Sequence, residues 1–191
     1  MERVVRHFQE ELGVLQERLL AMGGFAEERV GEAVLGLASR DAALVDRVLG
    51  GDEPINDLHI EIDDRCLKLL ATQTPLAGDL RLITSAMKIN SDLERGADLM
   101  VNVAKATRRL YGDVIPPRLR GLIQMMSDEA GRLLRLAIDA FVDRNGALGS
   151  ALHDIDDRLD SLQREFVQAI FEAHAANELS LQAAVQLAVV G

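Results

Sequence analysis

The chain has 191 residues, 48% hydrophobic and 27% charged, the composition of a folded protein with a real core rather than a disordered one. Lys plus Arg number 21 against 31 acidic residues, a net charge of −10, which argues against a general nucleic-acid binder or adsorption to an anionic lipid surface. Aromatic residues are only 3%, with no Trp, while Ala, Leu, Arg and Glu abound, so the expected class is all-α. The lone cysteine, Cys66, forbids an intrachain disulfide and sits in an apolar helical pattern, where it reads as a small buried hydrophobe. The opening MERVVRHFQEE has no signal-peptide core, and no run of about 18 apolar residues occurs, so a cytoplasmic chain without membrane insertion is expected.

Val5, Phe8, Leu12, Leu15, Leu19 and Met22 alternate steps of three and four, the spacing of a heptad seam. The seam continues through Ala26, Val30, Ala33 and Leu37 and predicts a first helix of about 35 residues. Gly23 and Gly24 interrupt it at roughly 1 kcal/mol each against Ala, which suggests a close approach there. A short helix over Asp41–Leu49 precedes the break Gly50-Gly51, and Asp52 reads as the cap of the next helix, with Pro54 in its first turn. That helix carries Ile55, Leu58, Ile62, Cys66 and Leu69 on one face and ends near Gln73. Thr74-Pro75 then opens a helix to about Tyr111, with Leu82, Ala86, Ile89, Leu93, Ala97 and Met100 as its seam.

Gly112 and Pro116-Pro117 form the clearest linker. Beyond it, Leu119, Leu122, Met126, Ala130, Leu133, Ala137 and Phe141 define a helix that Asn145-Gly146 should stop. Leu152, Ile155, Leu159, Leu162, Phe166 and Ile170 define another, ending near Ala176, and Asn177 is the expected cap of a last helix from Glu178. Three helices, a linker and three more predict two tandem three-helix bundles: residues 1–112, a linker at 113–117, and 118–191. The final AAVQLAVVG stops while still apolar, so the last helix is expected to be truncated.

One geometry recurs three times. His59 and Asp63, Glu94 and Asp98, and Asp156 and Asp160 each stand at i and i+4, one residue past a pair of seam positions. Each pair therefore lies on one helix face, about 100° round from the packing seam. Two such pairs on neighbouring helices would make an oxygen-rich nest of the kind hard cations take. Acids flanking a seam are more often solvated or paired with Arg across the helix contact, and Arg65 and Arg95 stand close by. No Gly-rich phosphate loop, Gly-x-Ser-x-Gly elbow or His-Glu-x-x-His occurs, and the four histidines (His7, His59, His153, His174) are scattered, which disfavours an enzyme.

The segment from Ile62 to Lys105 carries a more specific signal. Gln73-x-Pro75, Ala77-x-Asp79-Leu80-Arg81 and Glu94-Arg95-x-x-Asp98, with Asn102 one turn on, resemble the PhoU family of phosphate-signalling regulators. Ala21-Met22-Gly23-Gly24, followed by Glu27, looks like that family's first helix, so the resemblance spans essentially the whole chain. It implies two three-helix bundles and, in several members, a multinuclear iron or sometimes zinc cluster held by acidic motifs on the second and third helices of each bundle. Carried over, Glu94, Asp98, Asp63, Asp156 and Asp160 match, while His59 replaces the usual acid. The fourth expected motif, Glu-Arg-x-x-Asp, is not present.

The resemblance also implies a function: a non-enzymatic negative regulator of phosphate uptake and phosphate-starvation signalling. Its implied partners are the ATPase subunit of the phosphate ABC transporter and a phosphate-sensor histidine kinase, with a second copy as a homodimer and no direct nucleic acid. The competing reading is a carboxylate-rich metal store or di-iron-like metalloenzyme. That reading needs ligands inside a bundle with an open coordination position, whereas these pairs stand beside the seam.

Overall fold

A computed structural model describes residues 2–51, 53–72 and 75–191, with side chains from residue 6 onward except 153. The expected caps Asp52 and Thr74, Gln73 between α3 and α4, and the side chains of Val5 and His153 lie outside the described residues. Eight helices carry the chain: α1 (Glu2–Ser39), α2 (Ala42–Gly50), α3 (Glu53–Thr72), α4 (Ala77–Arg109), α5 (Pro117–Val142), α6 (Gly146–Ile155), α7 (Asp157–Ala175) and α8 (Leu181–Val190). Among the described residues there is no strand, so the all-α class holds.

Two compact units form, and they interleave along the chain: Met1–Ala26 with Asp52–Ala97, and Glu27–Gly51 with Asp98–Gly191. A division into 1–112, 113–117 and 118–191 does not follow them. The physical reason is helix length: α1 has 38 residues and α4 has 33, against about 10–14 for an ordinary globular helix, so each supplies a buried face to both units.

In the first unit, the seams bury as their spacing requires. Leu12, Leu15, Leu19 and Met22 of α1, Ile55, Ile62 and Cys66 of α3, and Ile83, Ala86 and Leu93 of α4 are all buried. In the second, Val34 and Leu37 of α1 and Leu110 share one core with Leu119, Leu122 and Ile123 of α5, Phe166, Ile170 and Ala173 of α7, and Ala183 and Leu187 of α8. Some of the expected seam positions bury less: Leu133 and Ala137 of α5, Leu152 and Ile155 of α6 and Leu159 of α7 are half-buried.

Three helices end alike. Arg40, Arg144 and Asn177 adopt positive φ (56°, 51° and 60°) just past the ends of α1, α5 and α7. In each case the next backbone N–H reaches back to the helix: Asp41 to Gly36 O, Asn145 to Ala140 O and Glu178 to Ala173 O, at 3.2, 2.8 and 2.9 Å. These are Schellman endings, which satisfy carbonyls that the last turn would otherwise leave unpaired. Asp41 then caps α2, its carboxylate accepting from Ala43 and Leu44 N–H. Asn145 caps α6 in the same way, accepting from Leu148 N–H. Asn145 therefore starts a helix instead of stopping one, and the left-handed residue that ends α5 is Arg144. Likewise Asn177 ends α7, and Ser180 caps α8, accepting from Ala183 N–H. The α1–α2 and α5–α6 connections are thus one motif used twice, an internal repeat visible as Arg40-Asp41-x-Ala43-Leu44 and Arg144-Asn145-x-Ala147-Leu148.

Gly36 serves a close approach that the seam does not reveal. A Cβ on Gly36 would stand 3.1 Å from Val45 Cγ2, so α2 folds tightly back on α1 there. Gly24, by contrast, has nothing within 4 Å of a Cβ, and the close packing expected of it is absent.

Polar residues also occupy seam positions. Arg29, 9% exposed, donates to the carbonyls of Arg47, Val48 and Gly51, capping the end of α2 with its guanidinium. Glu129 of α5, 5% exposed, is hydrogen-bonded by Arg132 one turn on and lies 3.8 Å from Arg158 of α7. The Arg132 hydrogen bond holds the Glu129 carboxyl below its ordinary range, against burial that pushes it up. A folded-state value depressed below the unfolded one, about 4.3, contributes stability that is present above that pH and lost as pH falls through the folded value. Glu129→Gln should therefore be less stable than the parent in urea melts near neutral pH. That gap should close as the melts are repeated at progressively acid pH, and a pH-independent gap would contradict the ion-pair account.

Candidate functional site

The candidate residues of the first repeat begin on α3. His59 and Asp63 stand one turn apart, with Nε2 3.8 Å from the carboxylate and side chains 25% and 40% exposed. Asn90 of α4, fully buried, faces them. Its Nδ2 donates to the His59 carbonyl oxygen at 2.9 Å and to Asp63 Oδ1 at 3.1 Å. Two buried atoms of this cluster, His59 Nδ1 and Asn90 Oδ1, have no hydrogen-bond partner. Glu94, one turn beyond Asn90, is half-buried, and Asp98 is exposed.

Asn90 is the member that spacing alone overlooks. It follows Ile89 and lies between Ala86 and Leu93, a polar amide at seam register. Such a residue inside an apolar stripe is itself a signal, because burying an amide is tolerated only when it is hydrogen-bonded.

Arg65 does not pair with Asp63. It turns instead to Glu61 at 3.0 Å and Glu11 of α1 at 3.3 Å, while Arg18 reaches Glu61 at 3.1 Å. This charged network ties α1 to α3 beside a cleft of about 400 Å³ that Lys68 and Asp64 also line. Among the described residues Arg95 takes part in no ion pair.

Asp156 and Asp160 do not share one uninterrupted helix. Asp156 is the turn residue between α6 and α7, although Asp160 N–H still reaches its carbonyl at 3.2 Å. Both carboxylates edge a cleft of about 300 Å³ whose walls are mainly apolar, among them Val30, Val34, Met126, Leu159 and Val190.

The residues present do not fit the cation nest that the resemblance implies. Among the described residues no three His, Cys, Asp or Glu side chains come together as a group able to hold a metal ion. In the first of the three candidate pairs an oxygen of Asp63 accepts a hydrogen bond from Asn90. Neither iron nor zinc is assigned to these side chains.

Cys66, one turn from Asp63 and fully buried, is the chain's one thiol. Burial, and after it the negative charge of Asp63, pushes it up to about 11. A thiol raised so far is almost wholly protonated at pH 8 and a poor nucleophile. An aromatic disulfide reagent should therefore leave the native chain unlabelled at pH 8 for hours and titrate one thiol immediately in guanidinium. Fast native labelling would show that the α3–α4 face opens readily.

Fold and site together define an all-α bundle protein whose conspicuous buried polar residues lie between helices, at seam register. Comparison with known proteins gives that class its family. A family model described as the PhoU domain matches residues 19–107. A phosphate-specific transport system accessory protein PhoU homolog from Pseudomonas putida is 35% identical over 173 residues, covering 88% of this chain and 68% of its own. Its counterpart in Rhizobium meliloti is 31% identical, covering 88% and 73%. The crystal structure of PhoU from Pseudomonas aeruginosa superposes with a TM-score of 0.87 at 28% identity, over 96% of this chain and 88% of that one. The chain belongs to the PhoU family.

Proposed function

We propose that this chain is a non-enzymatic negative regulator of phosphate uptake and of the phosphate-starvation response. It would act at the cytoplasmic side of the membrane by linking the ATPase subunit of a phosphate ABC transporter to a phosphate-sensor histidine kinase. The observation that carries the reading is its 35% identity to a phosphate-specific transport system accessory protein over 88% of the chain. The architecture suits the role. Helices of 38 and 33 residues present long surfaces to protein partners, and the single thiol is buried and held protonated. No helix among the described residues is long and apolar enough to cross a membrane, so contact with a transporter would come through its cytoplasmic subunit. A net charge of −10 fits control of transcription through a kinase better than through DNA. A homodimer is compatible with this role, and sedimentation of the purified chain would establish it.

The test is an affinity capture of the tagged chain from phosphate-replete cells, read by mass spectrometry alongside a phosphate-starvation reporter. Recovery of the transporter ATPase or the sensor kinase, with the reporter silent only while the chain is present, is the expected result. Neither partner recovered and a reporter indifferent to the chain would overturn it.

A further inference from the structure

On the α3–α4 face, Asp63 Oδ1 accepts a hydrogen bond from the side-chain amide of Asn90. Asn90 is fully buried, and its one amide group bonds α3 twice, through the His59 carbonyl at 2.9 Å and Asp63 Oδ1 at 3.1 Å. The two acceptors are a residue's backbone and the side chain one turn further on, so a single side chain grips both the axis and the flank of the neighbouring helix. An amide N–H directed at Asp63 Oδ1 takes one acceptor site of that carboxylate, leaving fewer for a cation to share. His59 supplies an imidazole where a carboxylate would carry negative charge and a second oxygen to bridge two ions. Two further buried atoms of the cluster, His59 Nδ1 and Asn90 Oδ1, have no hydrogen-bond partner.

We propose that His59, Asp63 and Asn90 form a hydrogen-bonded lock between α3 and α4, in which Asn90 holds the carboxylate that a cation would otherwise take. The first unit of this chain is accordingly assembled without metal at that face. The lock sets the register of the two helices, since a buried amide and its acceptors must stay opposite each other while an apolar seam alone tolerates sliding by a turn.

Two measurements on the full chain test this. The first is equilibrium dialysis against zinc, and anaerobically against ferrous iron, followed by elemental analysis of the parent and of Asp63→Ala. The expected result is the same substoichiometric metal content in both. One or more equivalents retained by the parent and lost from Asp63→Ala would overturn the proposal. The second is a thermal melt in EDTA of Asn90→Leu, Asp63→Leu and the double variant. Asn90→Leu should lower Tm by roughly 3–8 °C, because it removes both hydrogen bonds that tie α4 to the His59 carbonyl and the Asp63 carboxylate. The double variant should recover part of that loss, since removing both partners of a part-buried hydrogen bond costs less than removing one. Additive losses, or an Asn90→Leu melt identical to the parent's, would show that Asn90 and Asp63 do not act together and would overturn the lock.

Discussion

Leu93→Asp unfolds the protein at temperatures where the parent is folded. Leu93 is 5% exposed on the buried face of α4, in line with Ala86 and Ala97, so an aspartate there is cut off from water. A buried carboxylate without a partner costs several kcal/mol, a large fraction of the roughly 5–15 kcal/mol that holds a typical domain together. The expected reading is a far-UV circular dichroism melt lowered by more than about 10 °C, or already incomplete at about 25 °C. The neighbouring pair supplies the contrast. Glu94→Ala with Asp98→Ala alters a half-buried and an exposed position, and should leave the melt within about 2–4 °C of the parent. Equal effects of the two replacements would place the α4 seam on a different face.

Phe166→Ala should have the second largest effect. Phe166 is fully buried in α7, in the core that also holds Leu119, Leu122, Ile170 and Leu187. Removing the ring loses its transfer free energy and leaves a cavity that the surrounding helices cannot fully close, at a cost of about 3–5 kcal/mol. Phe171, one helical turn and a residue further along, is 66% exposed, and its replacement by alanine should cost under about 0.5 kcal/mol. Urea titrations of the two variants separate these outcomes directly. Similar midpoints would mean that α7 is not seated on the face Phe166 defines.

What is legible in the sequence depends on what each feature rests on. Apolar spacing locates the long helices because burial acts on every third or fourth residue at once, and Leu12, Leu15, Leu19, Ile62 and Leu93 are buried as that period requires. Spacing is blind to endings, which rest on single backbone conformations. Arg144 takes the left-handed ending of α5 at a φ of 51° with no glycine to announce it, so Asn145 reads as a stop when it is the next start. The break at Asp156 is invisible for the opposite reason. The turn keeps helical hydrogen bonding to Asp160, so the apolar period runs through it unchanged. At the candidate site, i and i+4 spacing correctly identifies His59 and Asp63 as neighbours. It cannot show that Asn90, from a helix whose register is set by packing, reaches them first. Arg29 and Glu129 share that fate: a charge at a seam position is uninterpretable until its partners, here three carbonyls and two arginines, are known.

The interleaving of the two units has a practical corollary for anyone who wishes to cut this protein apart. A fragment ending at Gly112 looks like a natural half, yet it strips Val34, Leu37 and Leu110 of the α5, α7 and α8 side chains that cover them. A fragment starting at Pro117 loses the same contacts from the other side. Each half would display a greasy stripe made for its missing complement, and the two pieces mixed together should seek each other out. Split-protein complementation at the Gly112–Pro116 loop, in place of domain excision, is the way to handle the halves of this molecule separately.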